Sequence, residues 1–173
     1  MSSSLHVYGK KARDGAAGAA GARVETVPLV TFALGSDLLA ADVRQVDRVI
    51  KLREVAPVPN TPDWLLGMMP YRDSTVPLLD LRRRLELPDA PALEERRIMI
   101  FVAGSGFTAA VVDRVLDVRG VPVSDLEPPP PLVRGLSREY VRAVFRRDER
   151  IAIMLDADRL LSATERLQLA AAS

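Results

Sequence analysis

The sequence predicts a mainly β protein built as two small five-stranded barrels related by internal duplication, with a short helix closing each. Three observations predict it. First, the 173-residue chain repeats itself: displaced by 69, Phe32, Gly35, Ser36, Ala40 and Ala41 fall on Phe101, Gly104, Ser105, Ala109 and Ala110, and Val43, Val46 and Val49 fall on Val112, Val115 and Val118. Displaced by 76, Trp64 meets Tyr140, and Leu78, Leu79 and Asp80 meet Met154, Leu155 and Asp156. The offset grows because the second copy carries extra residues in its Pro-rich loop, Val121 to Arg138. Two copies are too few for a solenoid and suit a duplicated module. Second, short apolar runs are punctuated by Gly, Pro and Asp at close spacing, the texture of strands rather than of long helices. Third, the same glycine turn lies between two such runs in each copy.

In chain order, residues 1–26 are polar and then Gly/Ala-rich, and read as a flexible arm. The folded domain is expected over 27–162, with repeat one at about 27–88 and repeat two at about 96–162. Val27 to Leu34 and Leu38 to Ala41 flank Gly35, Ser36 and Asp37 as a hairpin; Ile98 to Ala103 and Phe107 to Val112 flank Gly104, Ser105 and Gly106 likewise. Val46 to Leu52 and Val115 to Val123 are the next strands. Pro62 to Leu66 reads as a short helical turn, and Met69 to Ser74 as a turn between Leu66–Met69 and the strand Thr75–Leu79. Ile151 to Leu155 is the matching strand of the second copy. Asp80 and Asp156 then cap helices over Leu81–Leu85 and Ala157–Leu161, the second continuing into a helical tail at 163–173.

Composition excludes several classes. Net charge is +1 with acids and bases interspersed, so no concentrated basic face points to nucleic acid. There is no cysteine, which removes disulfides, thiolate metal sites and a cysteine nucleophile. The single histidine, His6, lies in the arm, so the commonest general base is missing from the folded part. No apolar run approaches the roughly 20 residues of a membrane span, and a cytoplasmic protein with no direct membrane insertion is expected.

No residue pattern supports catalysis, a cofactor or a metal. Asp113 and Asp117 read as turn and edge residues, Gly104-Ser105-Gly106 as a hairpin tip, and Ser36 and Ser105 lack a histidine partner. Pro128 to Pro131 brace a loop, Trp64 and Tyr140 pack in the core, and Arg82, Arg83 and Arg84 lie on a solvated helix face. Arg72 stands apart. Its counterpart in the second copy is Asp148, so the shared fold does not explain it, and an arginine at a turn offers a planar charged fork suited to a protein interface. An ordinary surface ion pair is the other reading.

Several blocks occur together in order: Phe32-Ala33-Leu34-Gly35; Val43, Val46 and Val49; Pro57-Val58-Pro59-Asn60-Thr61-Pro62 followed by Trp64-Leu65-Leu66-Gly67; Gly67-Met68-Met69-Pro70-Tyr71-Arg72-Asp73; Val76-Pro77-Leu78-Leu79-Asp80-Leu81; Val111 to Val115; and Met154 to Leu161. With them, the chain from about Pro28 to Leu161 resembles the CheW family, the adaptor domain of bacterial chemosensory arrays. The resemblance implies two SH3-like five-stranded barrels, no catalysis and no cofactor. It implies two partners, the cytoplasmic tip of a methyl-accepting chemoreceptor in the groove between the barrels and the regulatory domain of a CheA-type histidine kinase at one barrel's edge, placing the protein at the membrane-associated receptor array. Arg72 corresponds to the family arginine of receptor coupling; with it go Val46 and Val49 for the receptor groove, and Arg53, Val55 and Val58 for the kinase edge. Where the family has Asn-Leu-Arg-Gly, this chain has Pro70-Tyr71-Arg72-Asp73, and Ala143 replaces the matching glycine of the second copy. These departures keep two variants open: a paralogue in a non-flagellar chemosensory pathway, and a modulator that binds kinase but no longer receptor. A remote alternative is a barrel that binds a small ligand or nucleic acid.

Overall fold

Apolar residues on both faces of successive short strands require a neighbour on each side, and the chain meets this need with two facing sheets. A computed structural model of the protein describes residues 22–91, 93–133 and 136–172. The expected arm lies outside them as far as residue 21. Strands β1 (Thr26–Leu34) and β2 (Asp37–Asp42) form the first hairpin, and β6 (Arg97–Ala103) and β7 (Gly106–Val112) the equivalent one. Their turns hold Gly35 and Gly104 at φ +58° and +59°, a region glycine enters without a Cβ penalty. Between and after them come β3 (Val46–Lys51), β4 (Leu65–Tyr71), β5 (Ser74–Asp80), α1 (Leu81–Arg84) and β8 (Arg114–Pro122). The two-residue strands β9 (Leu132–Val133) and β10 (Leu136–Ser137) interrupt the Pro-rich loop, and β11 (Val141–Arg147), β12 (Arg150–Leu155) and α2 (Ala163–Ala172) complete the chain.

The two SH3-like sheets run β3-β6-β7-β5-β4 and β11-β12-β2-β1-β8. Each sequence copy therefore gives its first hairpin to the other copy's sheet. Each exchanged hairpin joins its host strands by a parallel pair on one side, β5 with β7 and β12 with β2, each of three register positions, and by an antiparallel pair on the other, β3 with β6 and β1 with β8. One barrel per copy, the arrangement suggested by about five strands in each repeat, gives way to this exchange. Alternation assigns side chains to faces but carries no information about which strand lies alongside.

The exchange explains the continuous apolar runs. Along β6, Met99 and Phe101 enter a central core between the sheets, while Ile98 and Ile100 fill the inside of their own sheet. Along β2, Leu39 and Ala41 face the central core and Leu38 and Ala40 the inside of the second sheet. Strands buried on both faces lose the clean polar alternation of a one-sided sheet.

Three local expectations change. The turn expected over Pro62–Leu66 is shorter, a single one closed by the Leu65 N–H on the Pro62 carbonyl at 3.1 Å, because Leu65 and Leu66 already belong to β4, which continues through Pro70 to Tyr71. Pro70 is tolerated because β4 is an edge strand, where a missing N–H need not break a ladder. The turn itself is only Arg72-Asp73. Both caps occur, Asp80 accepting from the Arg83 N–H at 3.1 Å and Asp156 from the Asp158 N–H at 3.0 Å. The second helix is nevertheless two pieces, a 3-10 turn at Ala157–Arg159 and then α2. A capping box restarts it: Ser162 Oγ accepts from Glu165 N at 3.1 Å, and Ser162 N donates to Glu165 Oε2 at 2.7 Å. Among the described residues, no helix is long and apolar enough to cross a membrane.

Candidate functional site

Each rolled sheet leaves a seam between its two edge strands that backbone hydrogen bonds do not close. In the first sheet the edges are β3 and β4, and side chains close the seam at one end. A bulge in β3, between Val46 and Arg48 in the register with β6, makes Asp47 an extra residue and re-aims it. Its carboxylate accepts a hydrogen bond from the Tyr71 hydroxyl at the end of β4. It also accepts from Arg72 Nη2, at 3.0 Å to Oδ1 and 2.9 Å to Oδ2.

Arg72 is held from three directions. Its backbone takes φ +52° in the two-residue turn, a conformation in which non-glycine residues are uncommon. Its guanidinium lies 5.5 Å from the Tyr71 ring centre and 5.4 Å from that of Phe107, close enough for cation–π attraction. Those rings meet edge to face at 5.2 Å. The Arg72 side chain remains 54% exposed, against 18% for Asp47. Burial, and then the bond to Asp47, push the Tyr71 phenol above its ordinary pKa, so it stays a donor at physiological pH. The bond with Tyr71 and the nearby Asp47 charge raise Arg72 further above its ordinary value. The arrangement presents a fixed cation on an aromatic bed with one edge toward solvent. A planar guanidinium held in one place is chemistry suited to docking.

The other predicted residues lie around this seam. Arg53, Val55 and Val58 share a strap that follows β3 and runs along the outer edge of β4. Arg53 Nη2 donates to the Pro70 carbonyl at 3.1 Å, Val55 packs on the inner core of the first sheet, and Ala56 bridges to Met68. The Val58 carbonyl accepts from Thr61 Oγ1 at 2.8 Å. The strap thus reaches within two residues of Arg72. Val46 and Val49 lie on the opposite face of β3, half-buried against the central core with Val43 and Val115. The structure brings Arg53 and the Arg72 turn together. It places Val46 and Val49 beside Asp47 in sequence but on another face.

Sequence reasoning missed Asp47, Tyr71 and Phe107, which come from three strands and carry no local spacing signal. It also misplaced Arg82 and Arg84, expected on a solvated face. Arg82 pairs with the buried Asp113, and Arg84 is only 10% exposed. Arg84 lies 4.3 Å from the Trp64 ring centre and 5.5 Å from that of Tyr140. It donates to the Leu160 carbonyl at 2.7 Å and to Glu165 Oε2 at 2.8 Å. A guanidinium stacked on two aromatic faces can be buried because its N–H groups still find acceptors. Arg83 alone of the three is substantially exposed.

The model of the CheW-like domain matches residues 28–165. The chain is 30% identical over 151 residues to a chemotaxis protein CheW of Treponema pallidum, covering 84% of this chain and 88% of that one. It is 34% identical over 99 residues to the protein FrzA of Myxococcus xanthus, covering 57% and 62%, and 22% identical over 120 residues to the protein PilI of Pseudomonas aeruginosa, covering 69% and 67%. The fold matches that of the scaffolding protein TtCheW of Thermoanaerobacter tengcongensis, with a TM-score of 0.75 and 23% identity over 82% of this chain and 96% of that one.

Proposed function

Because the chain belongs to the CheW-like domain family, we propose that it is a non-catalytic cytoplasmic adaptor that couples the tip of a chemoreceptor to the regulatory domain of a CheA-type histidine kinase. The observation that carries this reading is Arg72, an exposed guanidinium fixed by turn, rings and ion pair at the position where the family resemblance puts receptor coupling. In this reading Arg72, Val46 and Val49 contact the receptor. The strap bearing Arg53, Val55 and Val58 contacts the kinase. Apolar rims with one charged anchor suit interfaces that form and exchange within an array.

A second reading within the family rests on the turn. Pro70-Tyr71-Arg72-Asp73 departs from Asn-Leu-Arg-Gly at three positions, and relatives such as FrzA and PilI are not named as chemotaxis proteins. It makes the protein a paralogue serving a non-flagellar chemosensory pathway, or a modulator that retains only the kinase.

Purified protein is tested for binding to the kinase regulatory domain and to a receptor cytoplasmic fragment from the same organism. Arg72→Ala is expected to lower receptor affinity by about tenfold, the effect of an ordinary interface anchor, and to leave kinase affinity unchanged. Kinase binding without receptor binding establishes the modulator. An unchanged receptor affinity in a folded variant removes Arg72 as the anchor.

A further inference from the structure

We infer that α2 is a displaceable cover, a helix of this chain seated where a helical segment of the receptor docks beside Arg72, so that the free protein keeps part of its receptor surface closed. The inference rests on the reading of Arg72 as the receptor anchor and deepens it.

The surface under α2 runs up to the Arg72 turn. Arg166, Leu169 and Ala170 of α2 line a cavity of about 260 Å³ together with Thr75, Pro77 and Phe107 of the first sheet. Thr75 follows Arg72 closely on the same hairpin, and the Phe107 ring is one of the two on which the Arg72 guanidinium rests. A partner that reaches Arg72 along this side therefore meets α2. The surface accepts a helix, because a helix of the chain occupies it now. Docking of a second helix there needs an apolar stripe of the usual helical spacing.

The hold on α2 is concentrated at its start. Glu165 Oε2 accepts from Ser162 N at 2.7 Å and from Arg84 Nη2 at 2.8 Å. Arg166 donates to the carbonyls of Leu161 and Asp158. Beyond this first turn Leu169 packs against the central core, while Leu167 is 73% exposed. Ten residues are too few for a helix to persist in water by itself. The cavity beneath α2 also forgoes part of the contact that close packing supplies. Local opening of such an element costs far less than unfolding, and a better-fitting helix takes its place.

The fold does not need this cover. Displaced by 76, Leu161 corresponds to Leu85, and after α1 the first copy forms no further helix before β6 among the described residues. Ile151, the counterpart of Thr75, is left 45% exposed. The match to the CheW-like domain ends at residue 165, before the three residues of α2 that line the cavity. The covering part of α2 thus lies beyond both the duplicated unit and the matched domain.

The test compares calorimetric binding of the receptor cytoplasmic fragment to the full chain as wild type, Leu169→Ala, Ala170→Leu and Arg72→Ala. Leu169→Ala loosens the cover and is expected to tighten binding about three- to fivefold, because apparent affinity scales with the fraction of molecules whose site is open. Ala170→Leu places a side chain in the cavity, holds α2 down and is expected to weaken binding by about the same factor. Hydrogen exchange over Ala163–Ala172 should show α2 losing protection when the fragment binds, which a permanent wall of the site does not do. Weaker binding by Leu169→Ala, or protection of α2 that rises in the complex, would make the helix part of the site and overturn the inference. Affinity and protection that stay unchanged in both α2 variants would overturn it too. If Arg72→Ala still weakens binding in that case, the cover fails alone and the anchor stands. If the fragment binds neither the wild type nor Leu169→Ala, the receptor reading fails and takes the cover with it.

Discussion

The two seams of the molecule solve one problem in opposite ways. In the second sheet Arg147, at the end of β11, turns inward: it donates to Thr31 Oγ1 at 2.7 Å and to Asp117 Oδ2 at 2.8 Å, and its side chain is 15% exposed. The equivalent residue in the first sheet is Tyr71, which also turns inward, to Asp47. The first sheet then adds an arginine one residue later, outside, on the turn. A rolled sheet needs polar groups satisfied across its open seam. Either an arginine or a tyrosine meets that need. At the turn that follows, the first sheet presents Arg72 where the second has Asp148, and this asymmetry separates what the fold requires from what a partner can use.

The comparison can be broken hardest at the position where the copies differ by one methyl group. Gly67 in β4 corresponds to Ala143 in β11, and both follow a bulge in pairing with the next strand. A Cβ at Gly67 would run into the Ala56 carbonyl and come within 2.8 Å of Val55 Cγ2, with φ at +157°. Gly67→Ala is therefore expected to cost about 2–3 kcal/mol in urea unfolding, as overpacking against backbone does. It should also weaken kinase binding by pushing the Val55–Ala56 strap outward. The reverse change, Ala143→Gly, should cost only about 0.5–1 kcal/mol, the entropy of a strand glycine. Equal costs would show that the strap yields freely and that the two edges are alike.

Next in size is the mismatch between Arg84 and its counterpart, the fully buried Leu160. Arg84 joins Trp64 of the first copy, Tyr140 of the second, and α2 through Glu165. Arg84→Ala removes two ring contacts and leaves a partly buried carboxylate without its cation. A loss of about 2 kcal/mol is expected, less than for a fully buried pair because Glu165 keeps some water. Hydrogen exchange should locate that loss in α2. Protection unchanged over Ala163–Ala172 would mean that the capping box and Leu169 hold the helix unaided.

How far the sequence foretold this follows from which forces are local. The hairpins at Gly35 and Gly104 were legible because a tight turn demands a positive φ within a few residues. The caps at Asp80 and Asp156 were legible because a cap bond is also local, reaching only two or three residues along the chain. The hairpin exchange was not, since it depends on pairing β2 with β12, β5 with β7, β1 with β8 and β3 with β6, strands that lie about thirty to more than a hundred positions apart in sequence. Arg84 misled because three consecutive arginines on a short helix look solvated until Trp64 and Tyr140 are seen to sandwich one of them. Arg72 could be singled out only because the duplication offered Asp148 for comparison. Its partner Asp47 became visible only once β3 and β4 met at a seam.

The smallest expected effect concerns acid. Asp117 is held below the ordinary carboxylate pKa, first by its bond from Thr31 and then by the nearby Arg147 and Arg119 charges. Its folded pKa thus lies below its unfolded value of about 3.9, so folding favours the ionised form. The stabilisation is present in full above the unfolded value and is lost as pH falls through the folded one. Asp117 is 41% exposed, so water screens the pair and less than about 1 kcal/mol is at stake. Urea midpoints of wild type and Asp117→Asn should differ at pH 7 and converge in acid. Asp42 and Glu165 are also held below their ordinary values, but they are common to both proteins and cancel in the difference. Convergence would mean that the second seam is closed by an ionic bond, as the Asp47–Arg72 pair helps to close the first. A gap that persists unchanged into acid would mean that Thr31 and Arg147 hold the second seam through shape and hydrogen bonds that do not need the carboxylate's charge, so that the two seams differ in the kind of force that closes them.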